Sequence, residues 1–180
     1  MIMRSTLFGL LVATTLTSIF FWFNRDESLS LPSCHSISHQ ISNPRFKISK
    51  TNGIATDKQT GLTWYRCNAG QRFSNNECQG KSLTFNWKEA IRFPVEVSNK
   101  TGNKWRLPTK EEMLSLKLDR CRNPAINTNI FPGIEVANYW TSSPSRRGAL
   151  FGCSFYSYEG RVSCLMRKEK SFPLMLVLSE

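Results

Sequence analysis

The six cysteines of this 180-residue chain all lie after residue 33, and their number and spacing restrict the folds that the chain can adopt. An even number of cysteines in an oxidising compartment indicates disulfides, whereas cytosolic cysteines more often bind metal or take part in catalysis. The interpretation of these cysteines therefore depends on whether the chain is exported.

The N-terminal segment predicts export. Arg4 precedes the uncharged residues 5–23, and a mixed-charge group follows at residues 25–27. This is the pattern of a secretory signal, and the stretch is also within the roughly 17–25 residues that cross a bilayer as a helix. We interpret residues 1–23 as a signal peptide or signal anchor that forms a hydrophobic helix, and the lack of an A-x-A site favours the anchor. The charge distribution predicts a periplasmic or cell-surface domain, anchored in the inner membrane by residues 5–23 if they are not cleaved.

Export favours disulfides, and local spacing narrows the many connectivities that six cysteines allow. The favoured pairs are Cys153 with Cys164, Cys67 with Cys78, and Cys34 with Cys121. The first pair flanks a turn-like segment between two strand-forming runs, the second encloses a short polar loop, and the third is left by elimination. The sequence alone does not fix this connectivity.

Cys34 could instead bind zinc together with His35 and His39. The two histidines have helical i, i+4 spacing, but no C-x-x-C motif accompanies them and the Ser-rich surroundings do not resemble a helix. We therefore predict structural disulfides, no metal and no cofactor.

The chain is predicted to contain one domain. Residues 24–44 are rich in Ser, Asn and Pro without periodicity and are interpreted as a polar linker, which leaves residues 45–180 as the domain. Turn residues between two apolar runs predict a β-hairpin over residues 53–65.

The first of two predicted helices begins at Asn86, with Glu89 as its capping-box partner. Pro94 is expected to end or kink this helix, because proline lacks a backbone donor and clashes with the preceding turn. The residues expected on its buried face are Trp87, Ala90 and Ile91.

The second predicted helix follows Thr109, with Glu112 as its capping partner. Its expected apolar stripe consists of Met113, Leu114 and Leu118. Strand-like runs precede the first helix and follow the second, so the predicted class is α+β with two short helices and a mostly antiparallel, twisted sheet.

Four ordered motifs carry a resemblance to a bacterial domain family. They are DKQTGLTW at residues 57–64, WRLPTKEEM at 105–113, NPAIN at 123–127 with Phe131 and Pro132, and YWTSSP at 139–144. Over residues 45–179 the chain resembles the DUF1566 family, also named for the C-terminal domain of the Legionella collagen-like adhesin. The resemblance implies a C-type-lectin-like fold, related to the scaffold of formylglycine-generating enzyme, on a secreted or envelope protein.

The same resemblance implies a binding role, since the adhesin domain is implicated in binding sulfated glycosaminoglycans. Two departures limit what carries over. Residues 174–178 read LMLVL, where family members often end in a Val-Arg-Leu-Val-Arg-like strand, and the collagen-like repeats of the adhesin are absent. The Glu-Pro-Asn and Trp-Asn-Asp motifs of calcium-dependent sugar binding are also missing, so recognition is expected to be calcium-independent.

No motif in the sequence supports catalysis. The chain lacks a G-x-S-x-G elbow, an HExxH motif and a P-loop, and its two histidines, His35 and His39, lie in the predicted linker. We therefore predict no enzymatic activity, and a metal-dependent modifying enzyme is the weakest alternative.

The aromatic and asparagine residues of the motifs are predicted to have structural roles. Trp64, Trp105 and Trp140 are predicted to lie in the core rather than to form sugar-stacking platforms. The asparagines of the Pro-containing loop are predicted to organise turns rather than to bind a ligand, and they are Asn123, Asn127 and Asn129.

Positive charge is the remaining functional signal. The chain has 24 Lys and Arg against 13 Asp and Glu, a formal net charge of +11. A positive field attracts polyanions, so the predicted partner is an acidic glycan or another envelope polymer, with no specific nucleic acid. The candidate binding residues are Arg146, Arg147, Lys168 and Lys104.

Two other roles remain open for this charge and this scaffold. A basic surface also keeps a domain soluble, with no ligand involved. A protein-interaction module of the envelope is the alternative function, either an assembly factor or an immunity-type inhibitor of a secreted toxin.

Overall fold

The computed structural model describes residues 31–41 and 44–179. The hydrophobic helix predicted within residues 1–23 lies outside the described residues, as do residues 24–30 of the predicted linker. Within the described ranges, no helix combines the length and the apolar character that a membrane span requires.

Ten strands and two α-helices follow a 3₁₀ turn at Ser38–Gln40 in the described part of the chain. They are β1 (Phe46–Ile48), β2 (Ile54–Asp57), β3 (Thr63–Tyr65), β4 (Arg72–Ser74), β5 (Glu77–Gln79), α1 (Trp87–Thr101), β6 (Trp105–Arg106), α2 (Lys110–Ser115), β7 (Asn138–Pro144), β8 (Phe151–Tyr156), β9 (Arg161–Arg167) and β10 (Val177–Leu178). The predicted α+β class with two helices and antiparallel pairing is confirmed.

The strands form three sheets. The largest has the order β1-β2-β3-β10-β6, β7-β8-β9 form a second, and β4-β5 form a two-stranded ribbon. All of the pairings between these strands are antiparallel. Strand β10 comes last in the chain but lies between β3 and β6, so the C-terminal segment completes the largest sheet.

The predicted hairpin is present as β2 and β3, and Asp57 organises its turn. The buried Asp57 carboxylate accepts hydrogen bonds from the backbone N–H of Gln59 (2.9 Å) and the hydroxyl of Thr60 (2.7 Å). It also pairs with the guanidinium of Arg45, whose Nε lies 2.7 Å from Asp57 Oδ1. Burial acts to raise the pKa of Asp57, but these hydrogen bonds and the Arg45 charge outweigh it and hold the pKa below its ordinary value.

Helix α1 has the predicted capping box, with Asn86 Oδ1 accepting from Glu89 N at 3.0 Å and Glu89 Oε2 accepting from Asn86 N at 2.9 Å. Pro94, which was expected to end or kink this helix, does not end it: α1 continues to Thr101 and closes on Gly102 at φ 72°. Capping at both ends and burial of Pro94 against the core offset the backbone hydrogen bond that proline cannot donate. Ile91, expected on the buried face, is exposed.

Helix α2 has the second predicted capping box, between Thr109 and Glu112. Both carboxylate oxygens of Glu112 also lie 2.7 Å from the guanidinium nitrogens of Arg106, a bidentate pair that fixes the helix on β6. Met113 is buried as expected, whereas Leu114 is exposed, so the expected stripe is only partly correct.

Two hydrophobic clusters make up most of the core, and residues 174–177 contribute to both. Met175 and Val177 pack in the first cluster with Trp64 and Phe131. Leu174 and Leu176 pack in the second cluster, whose largest buried member is Trp140. Alternating side chains of one extended segment thus enter opposite clusters, as the period of a strand requires.

The structure contains three disulfides, and they are the pairs favoured by local spacing: Cys34–Cys121, Cys67–Cys78 and Cys153–Cys164. The first attaches residues 31–41 to the domain, where Cys34 and Ile41 are buried together with Cys121. Part of the predicted linker therefore contacts the domain, and the boundary at residue 45 stays a prediction.

Asp57→Asn is predicted to lower the free energy of unfolding at neutral pH by about 1–3 kcal/mol, because it removes a charged acceptor from a buried network. The folded-state pKa of Asp57 is lowered, so its contribution is complete above the unfolded pKa of about 4 and is lost as pH falls through the folded value. The deficit of the variant should therefore shrink as pH falls from about 5 towards about 2.

Urea denaturation of both proteins across this pH range measures the effect. Asp119→Asn is the control, because the Asp119 carboxylate is 90% exposed in its pair with Lys117, and it should change stability by less than about 0.5 kcal/mol. A deficit for Asp57→Asn that is the same at every pH would contradict the assignment.

Candidate anion-binding surface

Arg146 and Arg147 lie in the loop between β7 and β8, and hydrogen bonds fix the backbone of this loop. The Ser145 hydroxyl donates to the carbonyl of Cys164 at 2.6 Å and accepts from the backbone N–H of Arg147 at 3.0 Å. The disulfide between Cys153 and Cys164 joins the adjoining strands β8 and β9. Both arginines are exposed, so the loop presents two cationic side chains to solvent on a fixed backbone.

Lys168 lies beside this loop, in the turn that follows β9. Its backbone N–H donates to the carbonyl of Leu150 at 3.0 Å, and its own carbonyl accepts from the backbone N–H of Trp87 at 2.9 Å. Three segments distant in sequence therefore meet at Lys168: the β7–β8 loop, the turn after β9 and the start of α1.

The ammonium group of Lys168 lies 4.0 Å from the centroid of the Trp87 ring. A cation over an indole face is attracted by the ring quadrupole, with about 0.5–1 kcal/mol at exposed sites. The Trp87 ring is held in turn by a hydrogen bond from its Nε1 to the carbonyl of Thr141 at 3.1 Å. This arrangement orients Lys168 without neutralising its charge.

Arg167, the last residue of β9 and the neighbour of Lys168, pairs with Glu169. Arg161 pairs with Glu159 at 3.0 Å at the opposite end of β9. Hydrogen bonding from Arg167 is the main cause that holds the pKa of Glu169 below its ordinary value, so this carboxylate stays ionised near neutral pH.

Arg146, Arg147 and Lys168 have no carboxylate partner within ion-pair distance among residues 31–41 and 44–179. We call these three residues the β7–β8 basic surface. Their charges are available to an external anion, because no acidic side chain of the described chain neutralises them.

Lys104, the fourth candidate, lies elsewhere. It follows the C-terminal end of α1, and its carbonyl accepts from the backbone N–H of Ser179 at 2.7 Å. Lys168 contacts the first residue of the same helix, and a helix of 15 residues is about 22 Å long. The structure therefore places Arg146, Arg147 and Lys168 on two segments that contact each other through Leu150, and places Lys104 at the other end of α1.

The aromatic residues of the sequence motifs divide into two groups. Trp64 and Trp140 are fully buried, which confirms that they belong to the core. Trp105 is only half-buried, and its ring packs edge-to-face against Tyr65 with centroids 6.0 Å apart. The buried Asn127 organises its loop as predicted, because its side-chain oxygen accepts from Asn129 N at 2.9 Å.

The alternative zinc site loses one of its ligands. Cys34 is bonded to Cys121, so its sulfur is not a free thiolate. No group of three or more His, Cys, Asp or Glu side chains arranged to hold a metal ion occurs within the described ranges.

The stacking of Lys168 on Trp87 was not predictable from the sequence. Trp87 was assigned to the buried face of α1, and no local pattern connects it with a lysine 81 positions later in the chain. The contact exists because the turn after β9 pairs by its backbone with the first residue of the helix.

The fold and this surface define a disulfide-bonded α+β domain that presents unpaired cations. Residues 53–178 match the model of the Lcl C-terminal domain, and the chain belongs to that family. This match confirms the resemblance found in the sequence motifs and makes the chain a member of an adhesin-associated domain family. No curated protein matches the chain.

Gly152→Ala is predicted to destabilise the domain by about 1–3 kcal/mol through overpacking. A Cβ atom at this position would lie 2.8 Å from Cδ1 of Trp87 and 3.3 Å from Cζ3 of Trp140, so the Trp87 ring must move. Thermal denaturation and near-ultraviolet circular dichroism measure the loss of stability and the displacement of the indole. Ala149→Ser, in the exposed loop nearby, is the control and should leave both signals unchanged. An unaltered Gly152→Ala protein would contradict the packing described for Trp87.

Proposed function

We propose that this chain is an exported, envelope-associated binding module that recognises acidic glycans or other polyanions in an adhesin-like role. One observation carries the proposal. Arg146 and Arg147 are adjacent and exposed, lie in the loop whose Leu150 carbonyl bonds the backbone of Lys168, and have no carboxylate partner in the described part of the chain.

The chemistry of the three side chains fits sulfate and carboxylate groups. A guanidinium presents planar donors that bind two oxygens of an anion at once, whereas an ammonium acts as a compact point charge. The ligand oxygens would contact these cations directly, so no bridging calcium ion is needed. The net charge of +11 favours encounter with a polyanion from a distance.

Export is proposed from the disulfides together with the N-terminal sequence. Three disulfides favour an oxidising compartment, and family membership is consistent with an extracytoplasmic protein. We propose a periplasmic or surface location, with residues 1–23 as signal or anchor. We also propose a C-type-lectin-like arrangement of the α+β domain, which the family resemblance supports.

Binding of the oxidised full chain to immobilised heparin, a sulfated polysaccharide, tests the proposal. We expect retention that weakens steeply as salt rises from about 0.1 M to about 1 M, because screening shortens the reach of the surface charges. Arg146→Ala/Arg147→Ala should weaken binding about tenfold or more, since each charge-assisted hydrogen bond contributes about 1.5–3 kcal/mol.

Lys47→Ala/Lys50→Ala is the matched control. It also removes two positive charges from exposed positions, but these lie around β1 in the five-stranded sheet. If retention depends only on net charge, the two double variants will weaken equally, and the proposed site is wrong. Absent or salt-insensitive retention would contradict the function itself. Recovery of one stoichiometric envelope protein together with absent polyanion binding would instead favour the protein-interaction module.

A further inference from the structure

A second candidate site lies near the opposite end of α1 from the β7–β8 basic surface. It is a cavity of about 390 Å³ between the C-terminal half of α1 and the five-stranded sheet. This volume falls within the roughly 300–1,000 Å³ of typical small-molecule pockets. Ile54 of β2 and Leu178 of β10 line it from the sheet, and the buried Leu176 lies beside them.

Three aromatic side chains line the cavity: Tyr65, Phe93 and Trp105. Tyr65 is fixed because its hydroxyl donates to the carbonyl of Gln71 at 3.4 Å and accepts from the backbone N–H of Phe73 at 2.9 Å. The edge-to-face packing of Tyr65 on Trp105 holds the second ring in place. The aromatic surface is therefore built into the fold before any ligand arrives.

Neutral polar side chains complete the lining: Asn52, Asn68, Gln71, Thr101 and Asn103. Amides and hydroxyls both donate and accept hydrogen bonds. The side-chain amide of Asn52 has no hydrogen-bond partner within residues 31–41 and 44–179, and Asn52 itself is exposed. Thr101 and Asn103 are likewise exposed at the end of α1.

None of the described residues that line this cavity is Asp, Glu, Lys, Arg or His, although the chain carries a net charge of +11. A charged ligand buried here would lose its hydration without gaining a countercharge, which is costly. The side-chain amides of Asn68 and Gln71 already have hydrogen-bond partners within the protein. The side-chain amide of Asn52 and the side-chain oxygen of Asn103 have none in the described part of the chain. The lining therefore favours an uncharged ligand that presents an apolar ring face to the aromatic side chains and hydroxyl or amide groups to these two asparagines.

We propose that this cavity binds one or two rings of an uncharged saccharide. The ring C–H faces pack on Tyr65 and Trp105, and the hydroxyl groups bond the amides of Asn52 and Asn103. This inference is independent of the proposed polyanion binding, because it uses different residues at the other end of α1 and a different physical interaction.

Titration of the oxidised full chain with cellobiose and with N,N′-diacetylchitobiose tests the inference. Both disaccharides are uncharged, and the second adds amide groups. Calorimetry measures binding, and tryptophan fluorescence reports the contact with Trp105. We expect at least one disaccharide to bind with an affinity that changes by less than about twofold between about 0.1 M and about 1 M salt, because no charge pair is involved.

Thr101→Arg is the blocking variant. Thr101 is the exposed last residue of α1, where a cation is favourable to the helix dipole, so the variant is expected to fold. Its long side chain should fill the mouth of the cavity and weaken disaccharide binding about tenfold or more. Asn99→Arg adds the same charge to the same helix outside the cavity lining and should change the affinity by less than about twofold.

Asn52→Ala tests a contact rather than a blockage. Loss of one hydrogen bond of about 0.5–1.5 kcal/mol should weaken the disaccharide about three- to tenfold. The same titrations with Arg146→Ala/Arg147→Ala should match the unmodified chain, and heparin retention should be the same for Thr101→Arg and Asn99→Arg. These comparisons separate the cavity from the basic surface, so one site can fail while the other stands.

Three results would overturn the inference. The first is no detectable binding of either disaccharide at about 10 mM, since even a site with a dissociation constant of about 1 mM, or about 4 kcal/mol of binding free energy, would be nearly saturated at that concentration. The second is equal binding by Thr101→Arg and Asn99→Arg. The third is saturable binding of N-acetylphenylalaninamide in place of the disaccharides, which would identify a pocket for peptide side chains.

Discussion

The C-terminal segment, residues 173–178, enters the largest sheet between β3 and β6, and both hydrophobic clusters depend on it. Val177 pairs with Trp64 of β3 on one side and with Arg106 of β6 on the other. The carbonyl of Pro173 accepts from Trp140 N at 3.1 Å, which connects the same segment to β7. Its side chains alternate between the two clusters, and each buried aliphatic side chain stabilises the fold by about 1.5–3 kcal/mol. One short segment therefore stabilises both clusters together.

The position of the basic surface follows from this arrangement. Strand β7 is held to the C-terminal segment through Trp140, β8 pairs with β7 in the sheet, and the Cys153–Cys164 disulfide joins β9 to β8. The loop with Arg146 and Arg147 thus rests on a rigid base, while Lys168 is placed by α1. Rigid supports reduce the entropy lost when exposed side chains order around a ligand.

Local signals in the sequence predicted the parts of the fold that local interactions determine. Both capping boxes involve residues three positions apart, and the hairpin turn is organised by Asp57 and the three residues after it. Two of the three disulfides likewise join cysteines only 11 positions apart. The α+β class followed from the order of the strand-like and helical runs along the chain.

Features that depend on distant contacts were not predictable. Periodicity places Ile91 and Leu114 on buried faces, but both side chains are more than a third exposed in the structure. Pro94 is tolerated because of the packing around α1. The Lys168–Trp87 contact and the uncharged cavity combine residues from separate elements, and only the topology brings them together. Of the two family arginines missing from residues 174–178, one position is the buried Met175 and the other is Leu178 in the cavity lining.

The Cys34–Cys121 disulfide has a mechanical consequence under the proposed function, in which the domain would be held at its N-terminal side and bound to a ligand at Arg146 and Arg147. Tension entering before Cys34 passes through the sulfur bridge to Cys121, a jump of 87 positions along the chain. Strands β1 to β6 and both helices lie between these cysteines and are bypassed by the load. The force then runs only through residues 122–146, along β7 to the loop. Most of the domain is thus shielded from stretching when a pulling force acts between the N-terminal side and the β7–β8 loop.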